Sequence, residues 1–118
     1  LGIVQKNDIF LLISNSGKTR EILELIELSK ELDSTIKFIV ITGNKNSQLA
    51  KLANVVLLTG SPEEVCALGL APTTSTTVMN VIGDILVVET MKQIGFTVEE
   101  YNKRHHGGYL GQRSKKLL

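Results

Sequence analysis

Residues 8–19 read Asp-Ile-Phe-Leu-Leu-Ile-Ser-Asn-Ser-Gly-Lys-Thr, and this stretch decides the fold. A short apolar run, Asp8–Ile13, leads directly into a polar loop that contains two serines and a glycine. Such a continuous run is typical of a strand that is buried on both faces of a parallel sheet. We therefore predict a central β-strand that is followed by the loop Ser14–Thr19.

The segments that follow repeat a strand–helix pattern. Apolar residues recur at helical spacing through 19–32, which predicts a helix, and Lys37–Thr42 repeats the buried-strand pattern. Ser47 stands where it can cap a short helix, and Val55–Leu58 reads as a third strand. Strands that alternate with helices pair in parallel with right-handed crossovers. The predicted fold class is α/β, a doubly wound parallel sheet flanked by helices.

The longest periodic segment, Thr73–Ile94, lies between Pro72 and Gly95 and predicts one long helix. Its apolar residues cover more than one side, so we expect part of it to face another subunit of a homo-oligomer. Residues 96–103 read as a short helical or irregular connection, and His105–Gly111 reads as a glycine-rich loop.

Composition limits the class of protein. The 118 residues fit one domain, and 13 basic side chains nearly balance 12 acidic ones, so no basic field favours a nucleic-acid partner. No apolar stretch is long enough to predict a membrane span, and the single cysteine has no partner for a disulfide. We expect a soluble, cytoplasmic protein without a membrane or nucleic-acid partner.

The loop after the first strand is a candidate phosphate site. Ser14, Ser16 and Thr19 can donate hydroxyl hydrogen bonds, and Gly17 lets the backbone approach an anion at the start of a helix. The alternative is that a hydroxyl merely caps the helix and the glycine merely turns the chain. A nucleotide-binding P-loop does not fit, because that motif needs a glycine where Leu12 stands.

Four segments together resemble the arabinose-5-phosphate isomerases of the SIS (sugar isomerase) family. They are Ser14–Gly17, Ile41–Gly43, the run Glu64–Thr77 before the long helix, and the Gly-Gly-Tyr-Leu-Gly segment Gly107–Gly111. The resemblance covers nearly the entire chain and implies a flavodoxin-like sandwich. It also implies a single SIS domain over 1–118 without regulatory cystathionine-β-synthase modules. Residues 1–13 do not supply the family's upstream strand and active-site lysine, so the N-terminal part of the fold is expected to be missing.

The activity that this resemblance implies is the interconversion of D-arabinose 5-phosphate and D-ribulose 5-phosphate. That reaction feeds synthesis of the sugar acid Kdo for lipopolysaccharide and some capsules. The implied enzyme is a homo-oligomer, a tetramer by resemblance, and we expect it to need no cofactor and no metal. Two alternatives stay open: a noncatalytic sugar-phosphate-binding module, and an isomerase of another sugar phosphate such as a hexulose 6-phosphate.

The resemblance places three catalytic candidates on Glu21, Glu64 and His105. The family reads His-Pro-Gly-Gly where this chain has His105-His106-Gly-Gly, so which histidine acts stays open. In the threonine-rich run before the long helix, Ser75 and Thr76 either cap the helix or complete the phosphate site.

Aldose–ketose isomerisation needs a base that moves a proton between C1 and C2, and further groups that move hydroxyl protons and open the ring. Glu64 enters an apolar segment, so we expect a raised pKa and assign it as the C–H base. Glu21 would move hydroxyl protons and His105 would open the ring. Each residue also has an explanation without catalysis. Glu21 can be an acid that the helix dipole stabilises, Glu64 a solvated loop acid, and His105 a surface histidine.

Overall fold

The computed structural model describes all residues from Leu1 to Leu118. Its elements, in chain order, are β1 (Ile9–Ile13), α1 (Arg20–Leu32), β2 (Lys37–Thr42), α2 (Gln48–Leu52), β3 (Val55–Leu58), α3 (Thr74–Gln93), α4 (Val98–Arg104) and α5 (Gly108–Lys115). The strands and helices predicted up to Gln93 are therefore confirmed, with ends that differ by at most one residue.

The three strands form one parallel sheet in the order β1-β2-β3. One face carries the hydrophobic core, in which Phe38 and Val40 of β2 are fully buried. Ile26 of α1 and Leu49 of α2 belong to the same buried cluster. Both helices therefore cover the same face, and the sheet places the ends of β1, β2 and β3 side by side.

The first strand differs from its prediction. β1 pairs only with β2, so it lies at an edge of the sheet and β2 is central. Ile9, Leu11 and Ile13, on the face away from α1 and α2, are 62%, 48% and 49% exposed. Within the residues of this chain, β1 is therefore neither central nor buried on both faces, because an apolar run indicates which residues can be buried but not what covers them.

The chain divides into two compact units, Leu1–Ile82 and Gly83–Leu118. The first contains the sheet, α1, α2 and the start of α3. The second contains the rest of α3, together with α4 and α5. One SIS domain over the whole chain stays a prediction. No helix combines the length and the apolar character that crossing a membrane would require.

The predicted glycine-rich loop is partly helical. Helix α5 begins at Gly108, directly after its N-cap Gly107, and continues through the basic residues near the C-terminus. Gly111 lies inside this helix and is buried. A Cβ at that position would lie 2.3 Å from the backbone oxygen of His105. Gly111 therefore permits close packing inside a helix, whereas the sequence alone suggested a glycine-rich loop.

Candidate functional site

The loop Ser14–Thr19 connects the end of β1 to the start of α1. Ser14 is buried, and its Oγ lies 2.7 Å from Thr19 Oγ1 and accepts the Gly17 N–H at 3.1 Å. Thr19 is the N-cap of α1, yet its side chain makes no capping hydrogen bond. The first N–H groups of a helix need an acceptor from outside the helix. The start of α1 can therefore receive an anion.

Gly17 fixes the position of this loop against α2. Its φ of +62° is left-handed, and a Cβ there would lie 2.1 Å from Ser47 Oγ. Ser47 in turn caps α2, as predicted, by accepting the Ala50 N–H at 3.1 Å. The Leu49 N–H donates to the Gly17 carbonyl at 3.2 Å. The serine loop thus rests directly on the N-terminus of α2.

The loop that follows β2 supports the serine loop from the other side. The Asn15 carbonyl accepts the Gly43 N–H at 3.0 Å and the Thr42 hydroxyl at 3.2 Å. Sequence reasoning missed Asn15 and Thr42 as parts of the site. The signal that could have found them is their position, because polar residues at the ends of adjacent parallel strands meet at one edge of the sheet.

Glu64 is bound to the N-terminus of α3. Its Oε2 accepts the Thr73 N–H at 2.7 Å, the Thr73 hydroxyl at 2.8 Å and the Ser75 N–H at 3.3 Å. The hydrogen bonds from the Ser75 side chain, from the Thr73 backbone and then from the remaining donors lower the pKa of Glu64 to about 2. The expected raised pKa is wrong, because donors to the anion outweigh its partial burial.

The segment between Glu64 and Thr73 also folds around Cys66. Its Sγ accepts the N–H groups of Leu70 and Ala71, each at 3.2 Å. These backbone donors, with Ala71 foremost, lower the pKa of the thiol. The side chains of Glu64 and Cys66 therefore both accept backbone hydrogen bonds from this segment and fix its conformation.

Ser75 and Thr76 make capping contacts. Ser75 is fully buried beside Glu64, and the Thr76 hydroxyl donates to the Thr73 carbonyl at 2.7 Å. These contacts match the capping alternative, and a phosphate-binding role for both residues stays a prediction. Glu21, by contrast, is exposed in the first turn of α1, directly after the serine loop.

The two histidines lie in the second unit. His105 ends α4, and its ring stacks on that of Tyr101 with 4.3 Å between centroids and 11° between planes. Its Nδ1 lies 3.3 Å from the Tyr101 carbonyl. The ring of His105 is therefore held in one orientation, although the residue is exposed, as is His106. In the structure, no three or more His, Cys, Asp and Glu side chains are grouped to hold a metal ion.

A parallel sheet with a serine loop at the end of β1, followed by a helix without a side-chain cap, defines an α/β class of protein in which ligands bind beyond the carboxyl ends of the strands. Residues 1–89 match the SIS domain family. The chain therefore belongs to that family.

Curated relatives carry the name Arabinose 5-phosphate isomerase KdsD. The Pseudomonas aeruginosa protein is 46% identical over 96% of this chain and 34% of its own length. The Salmonella typhi protein is 45% identical over the same shares of the two chains. This chain thus spans about a third of the length of the curated relatives that it matches.

Two solved structures are similar as well. One is a candidate phosphosugar isomerase involved in capsule formation from Bacteroides fragilis. It has a TM-score of 0.89 and 68% identity, over 92% of this chain and 56% of that one. The other is the Escherichia coli CFT073 protein c3406 in complex with arabinose 5-phosphate. It has a TM-score of 0.81 and 34% identity, over 88% of this chain and 54% of that one.

Proposed function

We propose that this protein is an isomerase that interconverts D-arabinose 5-phosphate and D-ribulose 5-phosphate, and that this chain carries its sugar-phosphate site. The names of the curated relatives and the neighbour that binds arabinose 5-phosphate support the choice of substrate. The observation that carries the proposal is the serine loop with its uncapped helix, because both sugars present a terminal phosphate to it.

The phosphate binds at the start of α1. Ser14 and Thr19 bond to each other and, with Gly17, hold the shape of the loop, whereas Ser16 is exposed and can turn its hydroxyl toward the ligand. The free N–H groups of the first helical turn complete the site. The proposal includes a phosphate-binding role for Ser75 and Thr76 at the N-terminus of α3, beside the capping contacts that they make.

Proton transfer is the task of Glu64. Its Oε2 holds the start of α3, which leaves Oε1 to accept the proton from C2 of the aldose. The electron pair of that C–H bond forms the enediolate, and the proton returns at C1 to give the ketose. A pKa of about 2 keeps this carboxylate ionised throughout the neutral range but makes it a weaker base than an ordinary carboxylate, so the family resemblance and not the pKa supports its assignment as the base. The family resemblance assigns the hydroxyl proton to Glu21 and the opening of the sugar ring to His105.

The biosynthetic role, the cellular location and the oligomeric state are also proposals. The reaction serves synthesis of Kdo for lipopolysaccharide or capsule in the cytoplasm, and the capsule-related neighbour from Bacteroides fragilis supports it. The enzyme works as a homo-oligomer, a tetramer by family resemblance, without cofactor or metal. Exposed apolar residues on α3, such as Ile85 and Val88, support the oligomer.

The test is an assay of D-arabinose 5-phosphate conversion by the whole natural protein in the presence of a metal chelator. Glu64→Gln keeps an acceptor oxygen for capping but removes the base, so kcat should fall about 100-fold or more. Glu63→Gln, the matched exposed neighbour, should retain wild-type turnover. Comparing the turnover of His105→Ala with that of His106→Ala identifies the histidine that takes part in the reaction.

If D-arabinose 5-phosphate is not converted, two further results distinguish the alternative functions. Sugar-phosphate binding without conversion would support the noncatalytic module, which the capping contacts of Glu64 favour. Turnover of a hexulose 6-phosphate in place of the pentose would keep the chemistry and change the substrate.

A further inference from the structure

The backbone just after β3 adopts an unusual conformation. Gly60 and Ser61 have successive positive φ angles of +78° and +52°. Glycine adopts this left-handed region freely, but a serine rarely does, because its Cβ crowds the following carbonyl. Non-glycine residues persist there where surrounding contacts over-determine the conformation, often beside functional sites.

The compensating contact crosses to a neighbouring loop. The Ser61 hydroxyl donates to the Gly43 carbonyl, in the loop that follows β2. On its other side, the Gly43 N–H donates to the Asn15 carbonyl at 3.0 Å. Asn15 stands between Ser14 and Ser16, so hydrogen bonds link the loops at the ends of all three strands.

This link is closely packed at its centre. A Cβ at Gly43 would lie 2.6 Å from Asn15 Oδ1 and 3.3 Å from Thr59 Oγ1. The Thr59 N–H also donates to the Thr42 carbonyl at 3.1 Å, which extends the ladder between β2 and β3. A side chain at Gly43 would not fit here, and the hydrogen bonds on its two sides connect Ser61 to Asn15 of the serine loop.

We propose that Ser61 is a positioning residue that sets the separation between the serine loop and Glu64, an inference that rests on the proposed function. Glu64 follows Ser61 by three positions in the chain. If the serine loop anchors the phosphate, this separation decides which carbon of the sugar faces the carboxylate. Small misplacements of a reacting group lower turnover strongly while substrate binding persists.

The decisive variant is Ser61→Gly, which relieves the left-handed backbone and removes only the hydroxyl tether. Ser61→Ala removes the tether but keeps the unfavourable φ. Ser34→Gly, at an exposed serine in the turn between α1 and β2, is the matched control. In the whole natural protein, Ser61→Gly should keep the wild-type Tm or raise it. Its kcat should fall about 10- to 100-fold with KM within about twofold.

A second measurement tests the hydrogen bond between Ser61 and Gly43 without measuring catalysis. Exchange of the Gly43 amide hydrogen, measured by NMR, should become about tenfold faster in Ser61→Gly and stay unchanged in Ser34→Gly. Unchanged Gly43 exchange would overturn the proposal even in a protein that does not turn over the pentose phosphate. Wild-type kcat in Ser61→Gly would overturn it as well. Loss of folding, or equal changes in kcat and KM, would assign Ser61 a merely structural role.

Discussion

At the scale of single residues, Glu64 couples the stability of the protein to pH. Its pKa falls from 4.5 to about 2 on folding, so the carboxylate stabilises the folded state fully above pH 4.5. This stabilisation is lost as pH falls from about 4.5 toward 2. We expect the free energy of unfolding, measured by urea denaturation, to decline more steeply over that interval in wild type than in Glu64→Gln.

Glu63→Gln provides the comparison, because Glu63 is exposed and adjacent. Its curve of stability against pH should run parallel to that of wild type. Parallel curves for wild type and Glu64→Gln would instead show that the hydrogen bonds from Thr73 and Ser75 do not form in solution.

Gly17 provides a second residue-scale prediction. Gly17→Ala should lower the free energy of unfolding by about 1–2 kcal/mol, because alanine is strained in the left-handed backbone. The new Cβ would also collide with Ser47 Oγ. Gly95 has the same φ of +62° with nothing within 4 Å, so Gly95→Ala carries the backbone cost alone. Gly17→Ala should therefore lose at least about 1 kcal/mol more in chemical denaturation. Equal losses would contradict the contact with Ser47.

Residue-level prediction from sequence depends on how local the signal is, and the anion-binding role of the serine loop stays a prediction. Hydroxyls and a glycine between a strand and a helix suggest an anion loop without any knowledge of the fold. The low pKa of Glu64 has no such signal, because its donors, Thr73 and Ser75, lie nine and eleven residues further on. Only the folded path of that segment brings them to the carboxylate.

At the scale of elements, local periodicity predicted α1, β2 and β3 almost to the residue. The exposure of one face of β1 could not be predicted, because the strand itself does not encode which segments cover it. Helix α5 was missed for a related reason. Its glycines suggested a loop, whereas Gly111 lies against the backbone of His105.

The close approach of Gly111 to the backbone of His105 leads to a prediction about α5. Gly111→Ala places a Cβ 2.3 Å from the His105 carbonyl, so overpacking should cost about 1–3 kcal/mol and displace the turn that carries His105. Chemical denaturation measures the loss, and the NMR shifts of the His105 ring report the displacement. Gln112→Ala, at the next and exposed position, should stay within about 0.5 kcal/mol of wild type. Unchanged His105 shifts in Gly111→Ala would refute the coupling.

At the scale of the whole molecule, α3 exposes several large apolar side chains within the residues of this chain. Ile85, Val88 and Met91, spaced three apart along one side, are 55%, 49% and 38% exposed. Contiguous apolar patches of this kind mark protein–protein interfaces, and soluble assemblies are most often symmetric copies of one chain. We therefore expect the natural protein to sediment as a multiple of its monomer mass.

The substitution that tests this expectation is Ile85→Glu. A glutamate at the centre of the apolar side would leave a charge unpaired in an interface and should dissociate the assembly at micromolar concentration. The folded state of each subunit should persist, because Ile85 packs only partly against the residues of this chain and is 55% exposed there. Thr90→Glu adds the same charge at another exposed position of α3 and should leave the mass unchanged. An Ile85→Glu protein that retains the wild-type mass in analytical ultracentrifugation would exclude this side of α3 as the interface, and a wild-type monomer would exclude the oligomer itself.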